Sequence, residues 1–325
     1  MISLTDILAA HGRIASFVYP TPLVKSDYLS DLTGGRVFLK PESQQLLNAF
    51  KIRGMINRVL TMMPVERRAP LLVVSSGNHA VAASYAGCRW GLDVTVLVPE
   101  NTAQTKISKI RRYGARIVQK GSDYDEANSG AEELLASRPG MLMIDPTSDR
   151  AVVAGYGTIG VEIARDLPSV DEVLVPVGGG GLITGVGLAL KGMLGGVRVR
   201  GVQTSACPAM LVSLEEGVIH RRYPSGPSFC EAVIGGVGDL PFEMAFRSQD
   251  EISTAPERAV ARAVRLLLEH DKLVVEPSAA LGVAHILENP QAYRRRETVV
   301  LISGGNVDYP LLRRLLDPGG QADGG

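Results

Sequence analysis

The sequence predicts an α/β fold built on mostly parallel sheet with both faces covered. Three observations carry that prediction. Short Val/Leu/Ile runs alternate along the chain with amphipathic stretches of helical period. Several of the apolar runs end in Gly- or Ser-rich corners, the strand ends where such sheets hold ligands. The chain has 325 residues, 45% hydrophobic and 21% charged, which suits a large core and not a disordered polymer.

The elements follow in order. Strands are predicted at Arg36–Lys40, Leu71–Ser75, Val94–Val98, Arg116–Gln119, Glu172–Val177, Arg198–Gln203 and Thr298–Ser303. Helices are predicted at Phe50–Met63, Ala80–Trp90 and Thr105–Tyr113, and at Pro256–His270, where Ala, Val and Leu recur at helical spacing. The uncharged run Val173–Leu190 spans 18 residues but holds six glycines and a proline. It reads as strand, loop and helix start rather than a membrane span. No fixed-period repeat or long linker is present, and Asp317–Gly325 reads as a frayed tail.

Composition removes several classes of function. Lys plus Arg and Asp plus Glu both count 34, so there is no cationic excess for nucleic acid. Cys88, Cys207 and Cys230 are odd in number and far apart, which points to a reducing, cytoplasmic compartment. They read as packed small residues. The first residues lack the basic and unbroken apolar regions of a signal peptide. His11, His220 and His270 show no metal-like spacing, and Arg294–Arg296 reads as a solvated face.

Four stretches can carry chemistry. Gly178, Gly179, Gly180 and Gly181 follow a buried strand and open a helix, so their N–H groups can converge on a phosphate. There is no Walker lysine and no GxGxxG spacing. Lys51 lies between Phe50 and Ile52 at a helix start. Desolvation there would favour its neutral, nucleophilic form, although a lysine at a helix start is otherwise a solvated charge. Ser75–His79 (SSGNH) closes one strand and Ser303–Asn306 (SGGN) another. Each is an anion-receptive corner or a simple helix cap.

Taken together and in this order, the four motifs resemble the fold-type II pyridoxal-phosphate enzymes, specifically the serine/threonine dehydratase and serine racemase family. The likeness runs from Pro20–Leu23 (PTPL) to Asn306. It includes Lys40, Glu42, Gln45, Tyr113–Ala115, Gly157–Ile163 and Glu276–Ala279. It implies a tryptophan synthase β-like fold, with two parallel-sheet α/β domains and pyridoxal 5'-phosphate between them. A large discontinuous cofactor-binding domain would take residues 1–42 and 146–325, and a small mobile domain 43–145. A homodimer is usual for relatives.

By the same resemblance, Lys51 is the Schiff-base lysine and Phe50 packs beside the cofactor. Asn78 bonds the ring hydroxyl, Gly178–Gly181 cradle the phosphate, and Ser303 faces the pyridine nitrogen. Ser75, Ser76, Gly77 and His79 face the substrate carboxylate. Ser76 matches the serine opposite the lysine in the racemases. The reaction implied is β-elimination from a 3-hydroxy amino acid to a 2-oxo acid and ammonia, with Lys51 as base for the Cα proton. A neutral serine at the ring nitrogen makes a weaker electron sink than a carboxylate would, which favours prompt expulsion of a β-hydroxyl. A racemase and a β-replacement enzyme on the same scaffold are the alternatives. A non-catalytic cofactor-holding protein is the alternative from another class.

The sequence also departs from the family's pattern. Ala49 stands where a serine is usual, and Val81 where glutamine is common. Asp145-Pro146-Thr147-Ser148 replaces a His-Pro-Phe-Asp-like stretch, and Tyr156 replaces the glutamine of Gly-Gln-Gly-Thr. Gln203 and Ala209 align with the racemases' metal-ligating Glu and Asp, so no metal is expected. Ser228–Gly238 resembles the hydroxyectoine-utilisation dehydratase-like subgroup, which would imply a bulkier or more acidic substrate.

Overall fold

The computed structural model describes residues 1–122 and 124–317. The tail predicted to fray lies outside the described residues beyond Asp317. In chain order the strands are β1 (Val24–Ser26), β2 (Arg36–Pro41), β3 (Leu71–Val74), β4 (Val94–Val98), β5 (Arg116–Gln119), β6 (Leu142–Met143), β7 (Glu172–Pro176), β8 (Arg198–Thr204), β9 (Glu251–Ala255) and β10 (Glu297–Ile302). The helices are α1 (Leu4–Ile14), α2 (Asp27–Thr33), α3 (Lys51–Thr61), α4 (Asn78–Trp90), α5 (Gln104–Arg111), α6 (Tyr124–Ser137), α7 (Arg150–Asp166), α8 (Gly181–Met193), α9 (Ala209–Glu216), α10 (Asp239–Ser248), α11 (Glu257–Glu269), α12 (Leu281–Glu288) and α13 (Tyr309–Leu316).

Two sheets form. The larger runs β1-β2-β10-β7-β8-β9 and the smaller β5-β4-β3-β6. Every pairing is parallel except β1 with β2. Strands β3, β4 and β7 are buried along their whole length, as strands covered on both faces must be. This is the predicted α/β class with two parallel sheets. All seven predicted strands are present, displaced by one residue at most at either end. Three more were not foreseen. β1 and β6 are too short to show a period, and β9 is a polar edge strand, Glu-Ile-Ser-Thr-Ala.

Helix α7 ties the two halves together. Asp149 caps it, its Oδ1 accepting from the Ala151 and Val152 amides at 2.9 and 3.1 Å. Its glycines let neighbouring backbones approach closely. A Cβ on Gly155 would lie 2.6 Å from the Arg53 carbonyl oxygen on α3, and one on Gly160 2.6 Å from that of Val186 on α8. The helix that begins with Lys51 and the helix behind the four glycines are thereby seated on one support.

Two expectations change. The predicted Ala80–Trp90 helix opens at Asn78, so the Ser75–His79 motif includes its first turn. Cys88 is exposed on α4 instead of packed, while Cys207 and Cys230 are buried. Cys88 sits one position beyond the apolar face of that helix.

Candidate active site

Lys51 is placed by the strand end it faces. The stretch Leu47–Phe50 is hydrogen-bonded to Ser303–Asn306. The Phe50 amide donates to the Ser303 carbonyl at 3.1 Å, and the Gly305 amide to the Asn48 carbonyl at 2.9 Å. Ala49 bridges Gly304, and the Asn306 amide donates to the Leu47 carbonyl at 2.8 Å. Leu47 and Asn48 both hold left-handed backbone, φ 64° and 57°. Such residues cost on the order of 1 kcal/mol each and persist only where surroundings fix them.

Beneath α3 lies a buried ionic network. Arg53 has no exposed surface. Its guanidinium donates to both Glu42 oxygens at 2.8 Å and to Glu162 at 2.5 and 3.0 Å. Lys40 also reaches Glu162, at 2.7 Å. Each buried charge is paired, as desolvation demands. The network locks the first turn of α3, and so the origin of the Lys51 side chain, to β2 and α7.

The Lys51 amine makes no hydrogen bond or ion pair with a described residue. Its Nζ lies 4.8 Å from the Phe50 ring centre and 5.3 Å from that of Tyr156. Burial pushes its pKa down to about 8, against the pull of Asp145 and Glu276. A substantial neutral fraction therefore exists near neutral pH.

Two helix N-termini offer unpaired donors to the same region. The N–H groups of Gly178 through Ile183 donate to no described residue, and Gly180 takes a φ of 95° that favours glycine. A Cβ on Gly178 would sit 2.9 Å from Val233 Cα, and one on Gly181 2.7 Å from the Pro146 carbonyl oxygen. The loop is closed in on its outer side and open at its donors. At α4, the amides of Ser76, Asn78, His79 and Ala80 are likewise without acceptors among the described residues. Ser75 turns its hydroxyl back to the Gly77 amide at 3.1 Å, whereas the Ser76 hydroxyl is unengaged.

Asn78 is oriented from two sides. Its amide donates to the Glu276 carboxylate at 3.0 and 3.1 Å, and its carbonyl accepts from Asn306 at 2.8 Å. Glu276 is buried, which raises its pKa. The sequence marked the Glu276–Ala279 stretch but not this contact; the only signal for it is a charged residue preceding an apolar turn. His79 is 2% exposed, and its Nε2 lies 3.1 Å from the Ile144 carbonyl oxygen. Burial, then the Lys51 charge, lower its pKa to about 4, so it is neutral and supports the loop. Ser303 is 4% exposed and its hydroxyl bonds to no described residue.

Asp145 follows β6, and its Oδ1 accepts from the Thr147 amide and hydroxyl at 2.7 Å and from the Ser148 amide at 2.6 Å. Tyr156 is fully buried with its hydroxyl unpartnered, and its ring meets Phe50 edge-on at 4.8 Å. Gln203 accepts from the Leu211 amide at 3.0 Å. Among the described residues no group of three or more His, Cys, Asp or Glu could hold a metal ion, and no helix is long and apolar enough to cross a membrane.

This set of groups fits pyridoxal phosphate: free amides for a phosphate, a depressed amine for an aldehyde, and an unpaired hydroxyl at a buried strand end for a ring nitrogen. Comparisons with known proteins agree. The family described as pyridoxal-phosphate dependent enzyme matches residues 14–305. The L-threonine ammonia-lyase of Thermotoga maritima is 38% identical over 98% of this chain and 79% of its own length. Threonine deaminase isoform 2 of Solanum lycopersicum superposes with a TM-score of 0.90 at 30% identity, covering 96% of this chain and 91% of that one. Serine racemase of Dictyostelium discoideum gives 0.87 at 28% identity, over 94% and 99%.

Proposed function

The chain belongs to the pyridoxal-phosphate-dependent enzyme family, and from that premise we propose an ammonia-lyase that converts a 3-hydroxy amino acid to a 2-oxo acid and ammonia. When bound, pyridoxal phosphate supplies an aldehyde for an amino group and a conjugated ring that draws electron density from the substrate's Cα. Lys51 holds it and, once displaced, takes the Cα proton on Nζ. Gly178–Gly181 and the start of α8 bind the phosphate through their free amides. Phe50 packs beside the ring, Asn78 bonds the ring hydroxyl, and Ser303 bonds the ring nitrogen as a neutral partner.

The free amides at the start of α4, with Ser75, Ser76, Gly77 and His79, receive the substrate carboxylate. The Cα–H and Cβ–O bonds break, and the departing hydroxide takes up the proton that Lys51 accepted and leaves as water. The enamine product takes a proton at Cβ to become an imine, whose C=N bond water hydrolyses to the 2-oxo acid and ammonia.

One observation carries this reading: an amine without a counter-ion, depressed by burial, on a helix packed against α4 and against the support of α8. The test is the absorbance spectrum of the cofactor-loaded protein during addition of L-serine, L-threonine and other 3-hydroxy amino acids, with 2-oxo acid followed alongside. A band shift with 2-oxo acid release supports the lyase. A bound cofactor with no release from any of them removes it. The unengaged Ser76 hydroxyl supports racemase activity as a second reading, decided by D-serine formation in the same cuvette.

We further infer a cytoplasmic homodimer with a small domain over residues 43–145. The cysteine pattern supports the compartment, and chromatographic mass tests the dimer.

A further inference from the structure

Two departures from the family's pattern, Asp145 and Tyr156, lie near Lys51: the Tyr156 ring centre is 5.3 Å from its Nζ, and Asp145 acts on both groups electrostatically. The Ile144 amide donates to the Leu72 carbonyl at 2.9 Å, so Asp145 stands at the carboxyl end of β6. Next to it β3 runs into Ser75–His79, and His79 holds the Ile144 carbonyl. On its other side the same turn touches the glycine loop. A Cβ on Gly179 would lie 2.8 Å from the Thr147 methyl, and one on Gly181 2.7 Å from the Pro146 carbonyl oxygen. The turn thus spans the gap between the corner assigned to the substrate carboxylate and the corner assigned to phosphate. A substrate held between those two corners would place its side chain in that gap.

The charge of Asp145 is not cancelled there. Its Oδ1 takes three neutral donors, while Oδ2 takes none, and no lysine or arginine among the described residues forms an ion pair with it. The cationic group coupled to it is Lys51, which is neutral whenever it acts as a base. His79 is neutral as well. The Tyr156 ring lies against Phe50 and beside Lys51, and Asp145 and Asp149 both act on its phenol electrostatically. Tyr156 brings a neutral phenol where the family's pattern has an amide.

We propose that Asp145 sets the side-chain specificity of this site, rejecting substrates with a second carboxylate and accepting those whose β-substituent is neutral or cationic. This rests on the lyase assignment above and narrows it. The likeness of Ser228–Gly238 to one subgroup implied a bulkier or more acidic substrate; Asp145 speaks against the acidic half of that implication and leaves the bulk open.

The test uses the cofactor-loaded enzyme and a ligand pair that differs in charge alone. L-asparagine and L-aspartate are titrated by the cofactor's absorbance change, with kcat/KM measured in parallel for L-serine and L-threo-3-hydroxyaspartate. The wild type is expected to favour the uncharged member of each pair on the order of 10- to 100-fold, as two like charges a few ångströms apart at a protein surface require. Asp145→Asn keeps the oxygen that accepts from Thr147 and Ser148, and should shrink both ratios about tenfold or more. Asp145→His, the family's residue, should shrink them further and serves if the first variant folds poorly. A wild-type ratio near one, or ratios that neither folded variant moves, overturns the proposal. If the wild type releases no 2-oxo acid from any hydroxy amino acid, the lyase assignment fails; the binding ratios still report on Asp145.

Discussion

Burial lowers the proton affinity of both Lys51 and His79, and the two make different predictions. For Lys51 the consequence is kinetic. Capture of an aldehyde needs the free amine, so the rate at which cofactor-free enzyme takes up pyridoxal phosphate should rise with pH and level off above about 8. Stopped-flow absorbance reads this directly; a rise centred near the ordinary lysine value would show that the amine is not desolvated. Lys51→Ala should lower elimination by at least about a thousandfold, within the range for losing a general base and a covalent anchor together.

For His79 the consequence is thermodynamic. Its folded pKa, about 4, lies below the ordinary 6.5. As pH falls the unfolded chain takes the proton first. The stability this group contributes is therefore complete above 6.5 and is lost as pH falls towards 4. His79→Gln can still donate to the Ile144 carbonyl, and its melting temperature should fall less steeply than the wild type's over that window. Parallel melting curves would assign the acid sensitivity to another group.

At the level of elements, the glycine loop is specified by conformation and by space. Gly180 has a φ of 95°, and a Cβ there would lie 2.5 Å from both Met210 Cε and Pro241 Cβ. Gly180→Ala should move the start of α8 and weaken cofactor retention roughly tenfold, about 1.4 kcal/mol, read as cofactor released on dilution. Full retention would mean that the loop's donors are not the phosphate's ligands. The loop was legible in the sequence because its residues are contiguous and follow a buried strand. The same holds for Lys51, Ser75–His79 and Ser303, each at a strand or helix end. The orientation of Asn78 was not legible, because its partners Glu276 and Asn306 lie 198 and 228 residues away. Nor was the approach of Tyr156 to Lys51, which depends on how α7 packs under α3. The two-residue β6 that presents Asp145 is too short to leave a periodic signature.

Across the whole molecule, the small sheet's α5 reaches over to the other half through charged contacts. Lys106 pairs with Glu231 at 2.6 Å, and Lys109 with Asp308 at 3.2 Å, with Thr105 also on Asp308 at 3.4 Å. Lys106 and Lys109 are also felt by Glu276, so α5 lies across the side of the site where Asn78 is held. These pairs are partly exposed, and each contributes roughly 0.2–1 kcal/mol at low salt. That is too little to stabilise the fold measurably but enough, if residues 43–145 move as the proposed small domain, to bias that domain towards closure over substrate. Breaking them should act on binding and leave saturated turnover nearly alone. Lys106→Gln with Lys109→Gln is expected to raise KM roughly two- to tenfold at low ionic strength. The wild type should approach the same KM as salt rises past a few hundred millimolar, where the screening length falls to roughly 4–5 Å. Steady-state kinetics across a salt series distinguishes this from simple weakening of substrate attraction. If the double variant keeps the wild type's salt dependence, the ion pairs do not hold the closed form.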